Sequence, residues 1–219
     1  LLRGYLGKAF QLAWNEHRAR EEFDLAKFLD PGDPTSWLYS ALLHQEQNRI
    51  NPAIVDMEES VRRNDNRRLF RSRLFLDEDL AIRSANLASI YRDAGMVDVS
   101  LREAATAVTH DYANSSAHQF LADSYNALRD PTRFNLRYET LWFNEWLLAN
   151  LMAPTEASSL SQHPSRPDYS RLLARDHLGL YSTSEYRSDG QLRQTVSQFG
   201  YQGTLAWSVD LDLQQNDGV

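Results

Sequence analysis

Six histidines, His17, His44, His110, His118, His163 and His177, are the side chains of this sequence best suited to hold a metal or move a proton, yet no pair has metal-ligand spacing. His110 and His118 have a turn expected between them, so they do not share a helical face. Asp77, Glu78 and Asp79 are consecutive, and on a helix such carboxylates point in different directions rather than share a proton. There is no glycine-rich phosphate loop, no G-x-S-x-G elbow and no H-E-x-x-H pair. Cysteine is absent, which excludes disulfides, thiolate metal sites and cysteine nucleophiles and is compatible with an oxidising compartment. Asn114-Ser115-Ser116 has the form of a glycosylation acceptor, a triplet common by chance. The expected chemistry is binding: no catalytic residue, no cofactor and no metal, in a protein that is not an enzyme.

With 219 residues and 42% hydrophobic content, the chain can bury a core in one large domain or two small ones. Its net charge of -7 argues against nucleic acid as a partner, because neutralising phosphates requires a basic surface. No run of about 18 or more apolar residues is present, so no transmembrane helix is expected. The first residues lack the basic start and apolar core of a signal peptide. The chain opens on Leu1 and stops just after Asn216-Asp217-Gly218, a turn signal that would lead into another strand, so a piece of a longer polypeptide is expected.

A period of 34 residues organises the first part of the chain. Gly7, Ala19, Phe23, Ala26 and Pro31 are followed 34 residues later by Ala41, Ala53, Met57, Ser60 and Asp65, which keeps small, large and turn character in order. Leu87, Ala88 and Tyr91 recur at the same spacing as Leu121, Ala122 and Tyr125. Alanine or glycine where two helices cross lets their backbones approach, and a bulkier side chain fills the space beside the crossing. Each pair exposes an apolar face until it stacks on the next, so the array holds its core in common.

This pattern resembles the tetratricopeptide repeat (TPR), a helix-turn-helix unit of 34 residues, over about residues 1–145. Trp37 matches the aromatic of the first helix and Ala41 the small residue at the crossing, while Ala53, Met57 and Ser60 match the small, large, small face of the second helix. Ser60 and Asp65 depart from the usual Ala and Pro. Leu87, Ala88, Tyr91, Gly95, Ala104 and Ala107 fit a third unit, and FLADSYNAL, residues 120–128, opens a fourth. The resemblance implies a mainly α fold, a right-handed α-solenoid of about four units over residues 1–152, closing on an amphipathic helix over 139–152. The register is interrupted once, by RRLFRSRLFLDEDL at residues 67–80, which carries Arg67, Arg68, Arg71 and Arg73 ahead of the three acids. An elongated helix or loop with solvated charges is expected there, and the alternative is a set of arginines that grips an acidic partner.

In TPR arrays the first helix of each unit lines a concave groove in which frame positions five, nine and twelve look inward. Here the resemblance places Leu38, Leu42 and Gln45, then Ala85, Ser89 and Arg92, then Gln119, Asp123 and Asn126 in that groove, all expected to be exposed. Chaperone-binding TPR clamps hold a terminal carboxylate with Lys and Asn, and Leu38 and Leu42 do not support such a clamp. A mixed apolar and polar groove suits a protein segment better than a small anion.

Beyond residue 152 the helical period disappears. Residues 153–176, with Pro154, Pro164 and Pro167 among small polar side chains, read as a Pro/Ser-rich linker. Residues 177–219 read as a short antiparallel β segment, a hairpin or meander turning at Asp189-Gly190, a dipeptide that accepts positive φ. Gly200 and Gly203 offer a second turn, although one long strand over 191–213 is also open. In QGTLAWSVDLDLQ, residues 202–214, Leu205, Trp207, Val209, Leu211 and Leu213 alternate with small or polar residues at the period of a strand. Such a strand fits an outer-membrane barrel, with those five residues on lipid and Asp210 and Asp212 on a lumen, and it also fits a soluble amphipathic sheet. An isolated hairpin is marginal in water, so the strand is expected to complete its sheet with further strands of a barrel or with another subunit's edge.

The order of helical repeats, proline-rich linker and strands resembles bacterial outer-membrane proteins in which a periplasmic TPR domain precedes a β-barrel. LFLDEDLAIRSANLASIYRDAG, residues 74–95, resembles a stretch of such bacterial TPR proteins. A barrel needs at least about eight strands and about three are present, a plain departure. The resemblance implies a scaffold in the cell envelope that recruits a secretion, assembly or export partner, with membrane contact only if the β segment belongs to a barrel. The alternative is an extracellular or soluble TPR subunit that forms a homo-oligomer or filament through its terminal strands.

Overall fold

The structure, a computed structural model, describes residues 1–128, 140–152, 177–186, 190 and 192–215. Its helices form hairpins: α1 (Leu2–Leu12) with α2 (Glu16–Leu29), α3 (Pro34–Glu46) with α4 (Ile50–Arg62), α5 (Arg73–Asp93) with α6 (Val97–His110), and α7 (Ser115–Ala127) with α8 (Leu141–Met152). Successive hairpins stack α2 on α3, α4 on α5 and α6 on α7. No described helix is long and apolar enough to cross a membrane.

Local chemistry sets the helix ends. The Asn15 Oδ1 accepts the Arg18 N–H at 3.2 Å, and the Asp33 Oδ1 accepts the Thr35 N–H at 3.0 Å ahead of a first turn that Pro34 opens. The Asn114 Oδ1 accepts the Ala117 N–H at 3.0 Å. Asn114 is therefore a buried helix cap, not an accessible glycosylation acceptor. Between the two helices of the first three units the chain turns through positive φ at Trp14 (60°), Asn48 (55°) and Gly95 (77°).

The small residues of the 34-residue frame lie where helices cross. Ala41, Ala88 and Ala122 are closed off from water, and a Cβ added at Gly7 would come within 2.5 Å of the Phe23 ring. One core gathers Phe23, Leu38, Tyr39, Met57, Leu87 and Ile90 across the first three hairpins, and a second joins Ala85, Ala104, Ala107 and Phe120 across the last two. Because α5 serves both cores, residues 81–90 are all buried.

Five frame positions of each first helix, the second, third, sixth, seventh and tenth, are closed over by neighbouring helices. In α3 they are Thr35, Ser36, Tyr39, Ser40 and Leu43. In α5 they are Ile82, Arg83, Asn86, Leu87 and Ile90, and in α7 Ser116, Ala117, Phe120, Leu121 and Ser124, each no more than 5% exposed. Tyr39 shows the contact: its ring centroid lies 6.0 Å from Tyr5 of α1 and 6.3 Å from Phe23 of α2.

Two joints carry buried polar clusters. Between the first two hairpins, Asp56 receives the Lys27 Nζ at 2.7 Å and the Ser40 hydroxyl at 2.6 Å, with the His44 Nε2 at 3.6 Å. Between the second and third, Arg83 is 1% exposed and donates to the Ser60 Oγ at 3.1 Å and the Asn64 Oδ1 at 2.6 Å. Asp79 lies one turn before Arg83, 3.8 Å from it, and accepts a bond from Arg71 at 2.8 Å.

These contacts revise the expectation for residues 67–80. Asn64–Arg67 is a single 3-10 turn, and from Arg73 onward the stretch forms the first turns of the 21-residue α5. Its charges are not solvated as a run, because the elongated α5 turns Asp79 inward, where Arg71 and Arg83 meet it. The fourth unit departs from the frame as well. Its second helix is α8, held to α7 by His118, whose Nδ1 lies 2.5 Å from Glu145 and whose Nε2 lies 2.8 Å from the Tyr112 carbonyl.

The strands β1 (His177–Tyr186), β2 (Leu192–Gln202) and β3 (Leu205–Gln215) form an antiparallel sheet in the order β1-β2-β3. The Gln202↔Leu205 pair leaves Gly203 and Thr204 as the turn, with Gly203 at φ 60°, so the alternative of one strand over 191–213 does not hold. Gly200 is no turn residue. It pairs with Trp207, whose ring would stand 2.3 Å from a Cβ added there, so the indole covers the bare backbone. Asp189 and the expected linker at 153–176 lie outside the described residues.

Candidate protein-binding surfaces

The structure divides the nine residues expected to line a groove. Leu38 and Ala85 belong to the two cores and Ser89 is buried, so these three are not open to a partner. The physical reason is the closeness of successive first helices, which lets one helix shut the inward side of the next. The Gln45 amide of α3 donates to the Ser89 hydroxyl at 3.2 Å and to Asp93 at 2.6 Å, both on α5. Leu42 is half-buried against the first core. The Arg92 guanidinium stacks 4.8 Å over the Phe120 ring of α7. Gln119 and Asp123 are half-buried, and the Asn126 side chain lies outside the described residues. The accessible remnant of the groove is thus mainly polar, Gln45, Arg92, Gln119 and Asp123, with Leu42 as its apolar member.

The arginines of residues 67–80 are largely engaged at home. Arg71 holds Asp79, Arg73 holds Asp77 at 2.9 Å, and Arg67 reaches the Thr35 hydroxyl at 3.3 Å. Glu78 has its carboxyl held above the ordinary range, first by burial and then by the neighbouring Asp111 and Asp79. What the stretch does offer is apolar: Leu69, Phe70, Leu74 and Phe75 are exposed.

The third surface is one face of the sheet. Leu205, Val209, Leu211 and Leu213 of β3 are each at least half exposed, as are Leu178, Leu180 and Tyr186 of β1, and Trp207 is partly covered where it lies on Gly200. The register sets them in rows: Leu180 beside Gln198 and Val209, Ser182 beside Val196 and Leu211. β2 contributes Gln194 and Gln198 to that face, so its apolar character is greatest on β3.

The arrangement matches a known architecture. The chain is similar to the crystal structure of the APC/C hetero-tetramer Cut9-Hcn1, with a TM-score of 0.55 at 16% identity, over 76% of this chain and 29% of that one. The helical part has a TPR-like fold. At this identity the likeness speaks to fold alone, and the chain spans less than a third of that neighbour's length. No family model and no curated protein matches the sequence. A TPR-like stack is a scaffold type suited to protein-protein interaction, since it presents side chains from many short units along one continuous surface.

Sequence reasoning missed the residues that make these joints. Arg83 and Asp79 are spaced i, i+4, a pairing visible on any helical reading of residues 74–95. The Lys27–Asp56–Ser40 cluster joins three helices and left no local pattern to find.

Proposed function

We propose that this chain is a non-enzymatic scaffold of the bacterial cell envelope. Its TPR-like stack, residues 1–152, recruits a secretion, assembly or export partner, and residues 177–219 begin a β-barrel in the outer membrane. The observation that carries the reading is the sheet face on which Leu205, Val209, Leu211 and Leu213 meet water in a row of alternate residues. Burying each such side chain is favourable by about 1.5–3 kcal/mol, so a face of this composition is stable only when covered. Lipid covers it in a barrel. In the stack, the accessible groove side chains Gln45, Arg92, Gln119 and Asp123 offer polar contacts to a protein segment.

A second reading follows from the sheet's edges. β1 and β3 are its outer strands and have no further strand beside them among the described residues. Strand addition by another copy would use those edges and give a soluble or extracellular assembly.

The Val209→Lys/Leu211→Lys double variant separates the two in cells that express the protein. Loss from the outer-membrane fraction with an unchanged helical circular-dichroism signal supports the barrel. Conversion of a soluble assembly into monomers supports strand pairing. A variant that keeps both its location and its assembly state overturns both readings.

A further inference from the structure

The first helix of the array repeats the buried pattern of its successors without being buried. The five frame positions closed over in α3, α5 and α7 correspond in α1 to Leu1, Leu2, Tyr5, Leu6 and Ala9. All five are apolar or aromatic, and all five are exposed, Leu2 by 86%. A terminal solenoid unit that faces water carries polar residues on its outer side, because nothing stacks on it. α1 carries the opposite composition at the positions where its successors make their joints.

Those joints show what would fit. At each of them the first helix of one hairpin is met by the second helix of the hairpin before it: α2 on α3, α4 on α5 and α6 on α7. At the α3 joint, the buried face includes Tyr39 against Phe23 of the preceding second helix. Shifting that joint back by one 34-residue step sets a second helix over Leu2, Tyr5 and Leu6.

We propose that this face of α1 is the stacking surface for one more helix-turn-helix unit of the same frame, carried on the same polypeptide ahead of Leu1. Its second helix lies on α1 as α2 lies on α3. A second copy of the chain related by two-fold symmetry would instead set one α1 against another, a first helix on a first helix, and the covering second helix of the other joints would be missing.

The test fuses an additional copy of residues 1–33 in front of Leu1 of the full chain. Hydrogen-deuterium exchange of the inner α1 should slow by about tenfold or more, as for a helix moved from an open end into the array. The melting midpoint should rise by about 5 °C. Leu2→Lys in the inner unit should cancel both gains, yet leave the midpoint of the unfused chain unchanged, because Leu2 is exposed there. A fused chain whose inner α1 exchanges as fast as before overturns the proposal. So does an unfused chain that forms a dimer broken by Leu2→Lys, an outcome that gives the face to a second copy.

Discussion

In the helical stack Phe23, Met57, Leu87 and Phe120 are closed off from water, whereas in the meander Leu180, Leu205 and Leu213 are each more than half exposed. Both regions are rich in leucine and aromatic side chains, so composition does not separate them. The difference lies in what each can cover by itself. A helix hairpin brings its own second layer, and stacking adds another on either side. A three-stranded sheet has two faces and supplies neither with a layer. The stack is therefore stabilised by contacts within the chain, whereas the apolar face of the meander has no cover among the described residues.

If that contrast is right, substitutions in the stack should lower its stability and substitutions on the open sheet face should not. The largest effect is expected for Arg83→Ala, which leaves Ser60 and Asn64 buried without their donor and Asp79 with Arg71 alone, and should cost about 3–5 kcal/mol in urea unfolding. A loss under 1 kcal/mol would show that water reaches the joint. Ala88→Leu comes next. It forces bulk into a fully buried crossing and should cost about 1–3 kcal/mol by the same measurement, or the 34-residue frame is misplaced.

Trp14→Gly should act in the other direction. Trp14 holds φ 60° with its side chain 90% exposed, at the turn where the next units carry Asn48 and Gly95. Glycine removes the steric conflict of a bulky residue in the left-handed region and should raise stability by about 1 kcal/mol.

His44 tests the buried polar joint through pH. Burial lowers its pKa below the usual 6.5, the charges of Arg49, Lys27 and Arg20 lower it further, and Asp56 opposes them. The fold therefore favours the neutral ring. Its stabilising contribution is complete above about pH 6.5 and is lost as pH falls through the depressed folded value. His44→Gln should flatten the decline in melting temperature on mild acidification, and an unchanged slope would mean that other groups set it. The smallest effect is expected for Leu211→Lys, which should leave the unfolding of the helical stack within about 0.5 kcal/mol of the parent.

The parts of the fold readable from sequence were those set by repetition. Gly7, Ala41, Ala88 and Ala122 are small because two helices touch there, and that requirement recurs at 34-residue spacing on either side of the interruption at 67–80. The fate of the groove positions was not readable in the same way. Leu38, Ala85 and Ser89 are shut by the approach of a neighbouring unit, a distance that no single unit's pattern encodes. In the charged stretch at 67–80 the helix is elongated and Arg68 and Arg73 meet water, as expected. The burial of Asp79 was not readable, because charge suggests solvent until a partner such as Arg83 is found on the next turn. In the meander, alternation marked the apolar face of β3, but the role of Gly200 depended on Trp207 standing across from it in the register.

The joints between hairpins differ in kind, and that difference governs how the stack would respond to mechanical load. At the second joint, Arg83 hooks Ser60 and Asn64 through directional bonds that fail if the hairpins tilt or slide. At the third, Ala104, Ala107, Ala117 and Phe120 meet through apolar contact, which has no preferred angle and tolerates a small rotation. A force applied across the stack would bend it first between α6 and α7, leaving the second joint as a stiff segment, so the curvature offered to a bound partner would be adjusted from that one compliant end.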